Sequence, residues 1–156
     1  NVAELSLRPR AGEWATHLLP WRSWHRRGLA WDLTLHGEIP LALTVETGAA
    51  SAKLDLSRLQ VHELTLKTGV SSTELTLPAG AGYTRARIET GVSSVEVRVP
   101  PDVAARIHIS SGLAGVTVDT RRFFRVGSEY ISPDYKAAQN RLDLEINTGV
   151  GSVSVR

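Results

Sequence analysis

The stretch that decides the fold is Leu64-Thr65-Leu66-Lys67-Thr68-Gly69-Val70-Ser71-Ser72-Thr73-Glu74-Leu75-Thr76-Leu77-Pro78. It returns 22 residues later as Ala86-Arg87-Ile88-Glu89-Thr90-Gly91-Val92-Ser93-Ser94-Val95-Glu96-Val97-Arg98-Val99-Pro100. On both sides of the glycine, apolar residues alternate with polar ones, the period-two mark of a strand with one buried face. Glycine permits the left-handed or tight backbone that a corner needs. Pro78 and Pro100 follow the second run, where a ladder donor is no longer required.

Outward from this pair, the motif recurs at Thr47-Gly48, Ser111-Gly112 and Thr148-Gly149. The glycines stand 21, 22, 21 and 37 residues apart, and the last gap reads as one period plus a 16-residue insertion. Alternating pairs flank each: Leu43/Val45, Ile107/Ile109 and Leu144/Ile146 before, Leu54/Leu56, Val116/Val118 and Val153/Val155 after. One period before Ala52 lie Trp31, Leu33 and Leu35, a partial rung at the start. Strand pairs this short bury their faces only by stacking. The pattern predicts an all-β fold, a single parallel β-solenoid with rungs of 21–22 residues stacked about 4.8 Å apart. Residues 1–30 read as an N-terminal strand and a basic, aromatic cap; residues 31–156 read as the repeats, with an insertion at about 120–141. Stacking also predicts columns of alternating charge: Glu46, Lys67 and Glu89 in one, Lys53 and Glu74 in another, Arg98 followed by Asp119 in a third. The hydroxyls of Thr47, Thr68, Thr90, Ser111 and Thr148 form a further column, expected to bond neighbouring backbone. A leucine-rich repeat is the nearest rival, but it needs a recurrent Asn or Cys, and the three asparagines here do not recur.

Trp31-Asp32-Leu33-Thr34-Leu35, Ile39-Pro40-Leu41-Ala42-Leu43 and Leu54-Asp55-Leu56-Ser57 resemble the bacterial toast-rack family. So do the Gly-Val-Ser-Ser turns at Gly69–Ser72 and Gly91–Ser94, and the closing run through Tyr130, Ser132-Pro133-Asp134-Tyr135 and Thr148-Gly149-Val150-Gly151-Ser152-Val153. The chain is also similar to the C-terminal domain of LiaF-like cell-wall-active antibiotic response proteins and to adhesin-type solenoids. The resemblance covers roughly residues 31–156. It implies a bacterial envelope-associated domain, often carried on a membrane-anchored protein, and it carries over no catalytic residues. Its motifs are turns and strands, which specify fold better than function.

Composition bounds the chemistry. The 156 residues are 42% hydrophobic and 6% aromatic, with a formal charge of +2 and no cysteine. A disulfide framework or thiolate metal site is therefore excluded. No apolar run reaches about 18 residues. The chain opens at Asn1, contains no methionine and shows no signal peptide, which reads as a fragment of a longer protein whose upstream part could hold a membrane segment. His17, His25, His36, His62 and His108 fall in different registers of the repeat, without zinc-binding spacing, and no phosphate-cradling glycine motif occurs. No cofactor, metal or catalytic residue is expected. Glu74 and Glu96 share an outward column at about the separation that retaining glycosidases use, but Lys53 and Arg98 lie close by, so a solvated charge column is the better reading.

Two segments combine basic and aromatic residues. Trp14, Trp21 and Trp24 stand among Arg10, Arg22, Arg26 and Arg27, a mixture suited to anionic lipid headgroups, teichoic-type polymers or single-stranded nucleic acid. The competing reading, which the open end of a solenoid favours, is a cap over the first rung. In the insertion, Arg121, Arg122 and Arg125 flank Phe123 and Phe124, followed by Tyr130 and Tyr135. These make a ligand or partner surface, or a flap packed on the solenoid; the flap is favoured, and a sugar stacked on an exposed aromatic is the specific binding form. The expected function is a non-enzymatic envelope-associated binding or scaffold domain. A LiaF-like modulator of envelope-stress signalling and a polysaccharide-binding or polysaccharide-active β-helix are the alternatives. The expected partners are a protein or an envelope polymer, with no nucleic acid, and the expected state is a monomer or weak homo-oligomer.

Overall fold

From Leu41 onward, alternation becomes strand. The computed structural model describes residues 3–7 and 39–156. Its elements are β1 (Ala3–Leu7), β2 (Leu41–Asp55), β3 (Val61–Thr76), β4 (Tyr83–Arg98), β5 (Ala104–Val118), β6 (Phe124–Val126), β7 (Glu129–Ile131) and β8 (Arg141–Val155). The predicted rung at Trp31–Leu35 and the predicted cap up to residue 30, except β1, lie outside the described residues.

Each long strand has two arms joined at its Thr-Gly or Ser-Gly. In β3 the inward residues are Leu64, Leu66 and Thr68, then Thr73 and Leu75. The inward parity therefore changes once across the corner, and β4 and β8 do the same. Without that change, a bent strand would bury one arm and expose the apolar face of the other. With it, both arms line one core: Leu64, Ile88 and Ile146 from the first arms join Leu75, Val97 and Val155 from the second.

The corner glycines work by close approach, not by handedness. Positive φ occurs at Gly82, Gly127 and Gly151, not in the repeated Thr-Gly glycines. A Cβ at Gly69 would stand 2.5 Å from the Gly48 carbonyl oxygen, and one at Gly91 would stand 2.8 Å from that of Gly69. Gly149 meets Gly91 at 2.7 Å, and Gly112 meets Gly149 at 2.8 Å. The tight half of the expectation holds and the left-handed half does not.

That glycine column also gives the strand order, and here the expectation of a purely parallel stack needs correction. The sheet runs β1-β2-β3-β4-β8-β5-β7-β6. It is parallel from β1 to β5 but antiparallel where β7 joins β5 and β6. The last repeat, β8, lies between β4 and β5. Val45, Leu66, Ile88, Ile146 and Ile109 consequently form one row. The reason is electrostatic as well as topological. With β8 inserted, Asp143 stands between Arg85 and Arg106, and Glu145 between Arg87 and His108. Chain order would have set Arg85 beside Arg106, like charges that repel across a ladder.

Two charge columns follow the expectation: Lys67 pairs with Glu89 at 3.1 Å, and Lys53 with Glu74 at 3.2 Å. The Arg98–Asp119 neighbourhood does not form, because Arg156 at the end of β8 comes between them; Arg156 exchanges backbone bonds with Val97 and Val99, and Asp119 bonds to Val155. The hydroxyl column also differs from expectation. Thr68 bonds to the Ser71 hydroxyl at 2.8 Å and Ser93 donates to Thr90 at 2.7 Å, in place of bonds to backbone. Where the residue three positions on is Ala50 or Gly151, the buried hydroxyls of Thr47 and Thr148 have no hydrogen-bond partner.

Candidate functional surface

The insertion begins where Asp119 folds the chain over. Its side chain accepts from the Arg121 amide at 3.1 Å, and its carbonyl accepts from the amides of Arg122 and Phe123. This local capping is the reason an Asp suits the position. The turn drives Phe123 into the core, where it is 0% exposed and, among the described residues, the largest fully buried side chain. The Arg122 guanidinium covers that ring at 4.9 Å and donates to the carbonyls of Val99 and Pro100 at 2.8 and 2.9 Å. β6 and β7 then form a hairpin turning at Gly127, whose φ is +63°. Positive φ there suits the first central position of such a turn.

β7 pairs with β5 over Arg106–His108, and Ser132 extends the pairing: its amide donates to the Ala105 carbonyl and its hydroxyl accepts from the Ala105 amide. Next comes a turn that places Tyr135 over Asp143. Asp143 accepts from Tyr135, from Tyr83 at 2.6 Å, and from Arg106 at 2.9 and 3.1 Å; Arg106 also lies 5.2 Å over the Tyr135 ring. Burial works against the charge of Asp143, but the donors Arg106, Tyr135 and Tyr83 prevail and hold its carboxyl below the usual range. Burial first, and the bond to Asp143 second, push Tyr135 up to about 12.

The residues singled out in the insertion thus separate. Phe123 is core, and Arg122 is committed to carbonyls. Tyr130 packs on the core and Tyr135 belongs to the Asp143 cluster. Arg121 is paired with Asp119, Arg125 donates to the Gly127 carbonyl, and Phe124 is 52% exposed beside exposed Val126. A cleft of about 590 Å³ opens at the base of the insertion, with Asp102, Arg121, Asp134 and Gln139 on its walls. Its mixed signs suit a polar contact better than a single anion. Trp21, Trp24, Arg26 and Arg27 lie outside the described residues.

Glu74 and Glu96 do sit side by side on β3 and β4, each held by a cation: Lys53 for the first, Arg98 and Arg156 for the second. Among the described residues there is no cluster of His, Cys, Asp and Glu that could hold a metal ion.

A further surface lies outside what period-two patterning reveals. Immediately after the corner glycines, Ala49, Val70, Val92, Val150 and Leu113 fall in register on five adjacent strands. Val70, Val92, Val150 and Leu113 are all exposed, Leu113 to 81%, and they form an apolar ridge along the outside of the bend. At a strand spacing of about 4.8 Å the ridge of these four residues is roughly 14 Å long. Its signal was present in the sequence, since a residue larger than alanine and aliphatic follows four of the five glycines. Period-two patterning assigns such residues no face, because they lie where the parity changes.

Among the described residues no helix is long and apolar enough to cross a membrane. A comparison with curated proteins finds no match in sequence. Among solved structures, the chain is similar to a candidate cell adhesion protein from Clostridium sporogenes, with a TM-score of 0.71 and 26% identity over 78% of this chain. The chain spans 57% of that protein's length, a little over half. Residues 16–98, more than half of the chain, match the family described as the N-terminal domain of toast_rack, DUF2154. The match starts earlier than the resemblance read from Trp31 onward and stops before β5. By that match, and with the all-β fold now described, the chain belongs to the toast_rack N-terminal domain family.

Proposed function

We propose that this chain is a non-enzymatic contact domain of the bacterial cell envelope, a stacked, solenoid-like scaffold that presents its bend to a protein partner. The observation that carries the reading is the ridge of Val70, Val92, Val150 and Leu113. Exposed aliphatic side chains are ordinary one at a time, but a continuous row held on a rigid ladder marks a contact surface. The candidate adhesion role of the Clostridium sporogenes protein supports the same direction. Proteins suit this surface better than sugars: the ridge has no aromatic face for a pyranose to stack on, and its flanks carry the ion-paired Lys67 and Glu89. The test uses fluorescently labelled chain on intact bacterial cells, protease-shaved cells and purified cell-wall sacculi. Binding should occur on intact cells, disappear on shaving, and fall at least tenfold in the combined variant Val70→Ser, Val92→Ser, Val150→Ser, with its melting temperature retained. Equal binding to shaved cells and sacculi would replace the protein partner with a wall polymer. Equal binding by the variant would remove the ridge from the reading.

A further inference from the structure

Two outward columns lose their charge towards one edge of the sheet. Along the outward column Lys53–Glu74–Glu96, the next two strands carry Ser154 and Thr117. Along Glu46–Lys67–Glu89, they carry Asn147 and Ser110. The edge strand itself reads Ile109-Ser110-Ser111-Gly112-Leu113-Ala114-Gly115-Val116-Thr117-Val118, without a charge or a proline. β7 covers β5 only over Arg106–His108, with Ser132 continuing at Ala105. Past that point β5 has β8 on one side and, among the described residues, no strand on the other. The core opens there too: Val116 is 37% exposed, whereas Val153 and Val95, its row-mates on β8 and β4, are each 1% exposed.

Natural sheets protect such edges with charges, prolines, bulges or covering segments, because the unpaired N–H and C=O groups recruit another strand. We infer that the second arm of β5, from Ser110 to Val118, is a homodimer edge that pairs antiparallel with the same arm of a second copy. A second copy fits for three reasons. The arm carries no charge, so self-pairing sets no like charges opposite each other. A two-fold axis normal to the sheet keeps each face continuous, so Ala114, Val116 and Val118 of one copy extend the inward face of the other. The same edge already accepts an antiparallel neighbour over Arg106–His108. Leu113 belongs both to this arm and to the ridge, but Val116 and Ala114, the residues altered in the test, are not part of the ridge, so the two readings fail separately.

The absence of cysteine makes the test clean. Sedimentation equilibrium of the whole chain from about 1 µM to 1 mM, the range where a small interface dissociates, should show a reversible monomer–dimer transition. Val116→Lys should raise the dissociation constant at least tenfold while the melting temperature stays within a few degrees of the parent's at low concentration. Ala114→Cys, at the centre of the paired arm where the two-fold axis sets the residue opposite its own copy at about 4.5–5.5 Å, should give a disulfide-linked dimer on mild oxidation, and Ser72→Cys, on β3 inside the stack, should not. The inference is overturned by a monomer across the whole range, by a dimer that survives Val116→Lys, or by species that grow beyond the dimer with concentration.

Discussion

Replacing Gly91 with alanine tests the central geometric claim, that stacked strands touch backbone to backbone at the corner. The new Cβ would stand 2.8 Å from the Gly69 carbonyl oxygen, about 0.6 Å inside ordinary contact. Opening the rungs by that amount would stretch neighbouring hydrogen bonds from about 2.9 Å to their limit near 3.5 Å. Gly91 has neighbours on both sides, Gly69 and Gly149, so relaxation is confined. Overpacking of this kind costs about 1–3 kcal/mol, which at roughly 2–4 °C per kcal/mol for a chain of this size lowers the melting temperature by about 2–12 °C. Gly151→Ala should be worse, because its Cβ would meet the Ser93 carbonyl oxygen at 1.8 Å and its φ is +135°. Gly80 has nothing within 4 Å and no positive φ, so it is the control. Alanine there should be neutral or slightly stabilising. Thermal denaturation followed by circular dichroism at a fixed low concentration gives the ranking. If Gly91→Ala melts within about 1 °C of Gly80→Ala, against the expected minimum of about 2 °C, the column of close approaches is not what requires glycine.

Asp143→Asn should cost about 1–3 kcal/mol near neutral pH, the scale of hydrogen bonds to a charged group. The folded pKa of Asp143 is depressed, so its contribution is present above the ordinary value of 3.8 and is lost as pH falls through the lower folded value. The two melting curves should therefore converge in acid. Tyr135 has the opposite sign: raised from 10.0 to about 12, it contributes fully below pH 10 and loses that contribution between 10 and 12, which tyrosinate absorbance and melting should both follow. Thr148→Val removes a buried hydroxyl without a partner and should stabilise by up to about 1 kcal/mol, whereas Thr90→Val breaks the bond from Ser93 and should destabilise by about as much. Phe123 is fully buried and Phe124 is exposed. Phe123→Ala should therefore cost about 3–5 kcal/mol and loosen the insertion. Phe124→Ala should change stability by no more than about 0.5 kcal/mol in chemical denaturation.

The repeat made the strands legible because burial and period two are the same fact seen twice. Leu64, Leu66, Leu75 and Leu77 read as inward from spacing alone, and each is at most 1% exposed. Order was harder, because Ile109 and Ile146 are interchangeable as apolar residues and fit either slot. The insertion was harder still. Phe123 and Phe124 are adjacent and chemically identical, yet one is core and the other surface, a distinction made by the Asp119 turn and not by any local pattern.

The charges, however, held information that the apolar pattern lacked. In chain order the columns would read Arg85–Arg106–Asp143 and Arg87–His108–Glu145, each setting two basic groups side by side. Placing β8 next to β4 turns them into Arg85–Asp143–Arg106 and Arg87–Glu145–His108, and the bonds of Arg106 to Asp143 and of Arg87 to Glu145 follow directly. Exposed pairs of this kind each contribute at most about 1 kcal/mol, too little to hold the fold but enough to choose between two strand orders whose cores are equally apolar. The same swap makes β5 the outer long strand, so that its uncharged second arm has no further strand beside it among the described residues and the insertion, rooted at the end of β5, can fold back onto that strand's first arm. Strand order, the position of the flap and the exposed edge are therefore one consequence of where Asp143 and Glu145 find their arginines.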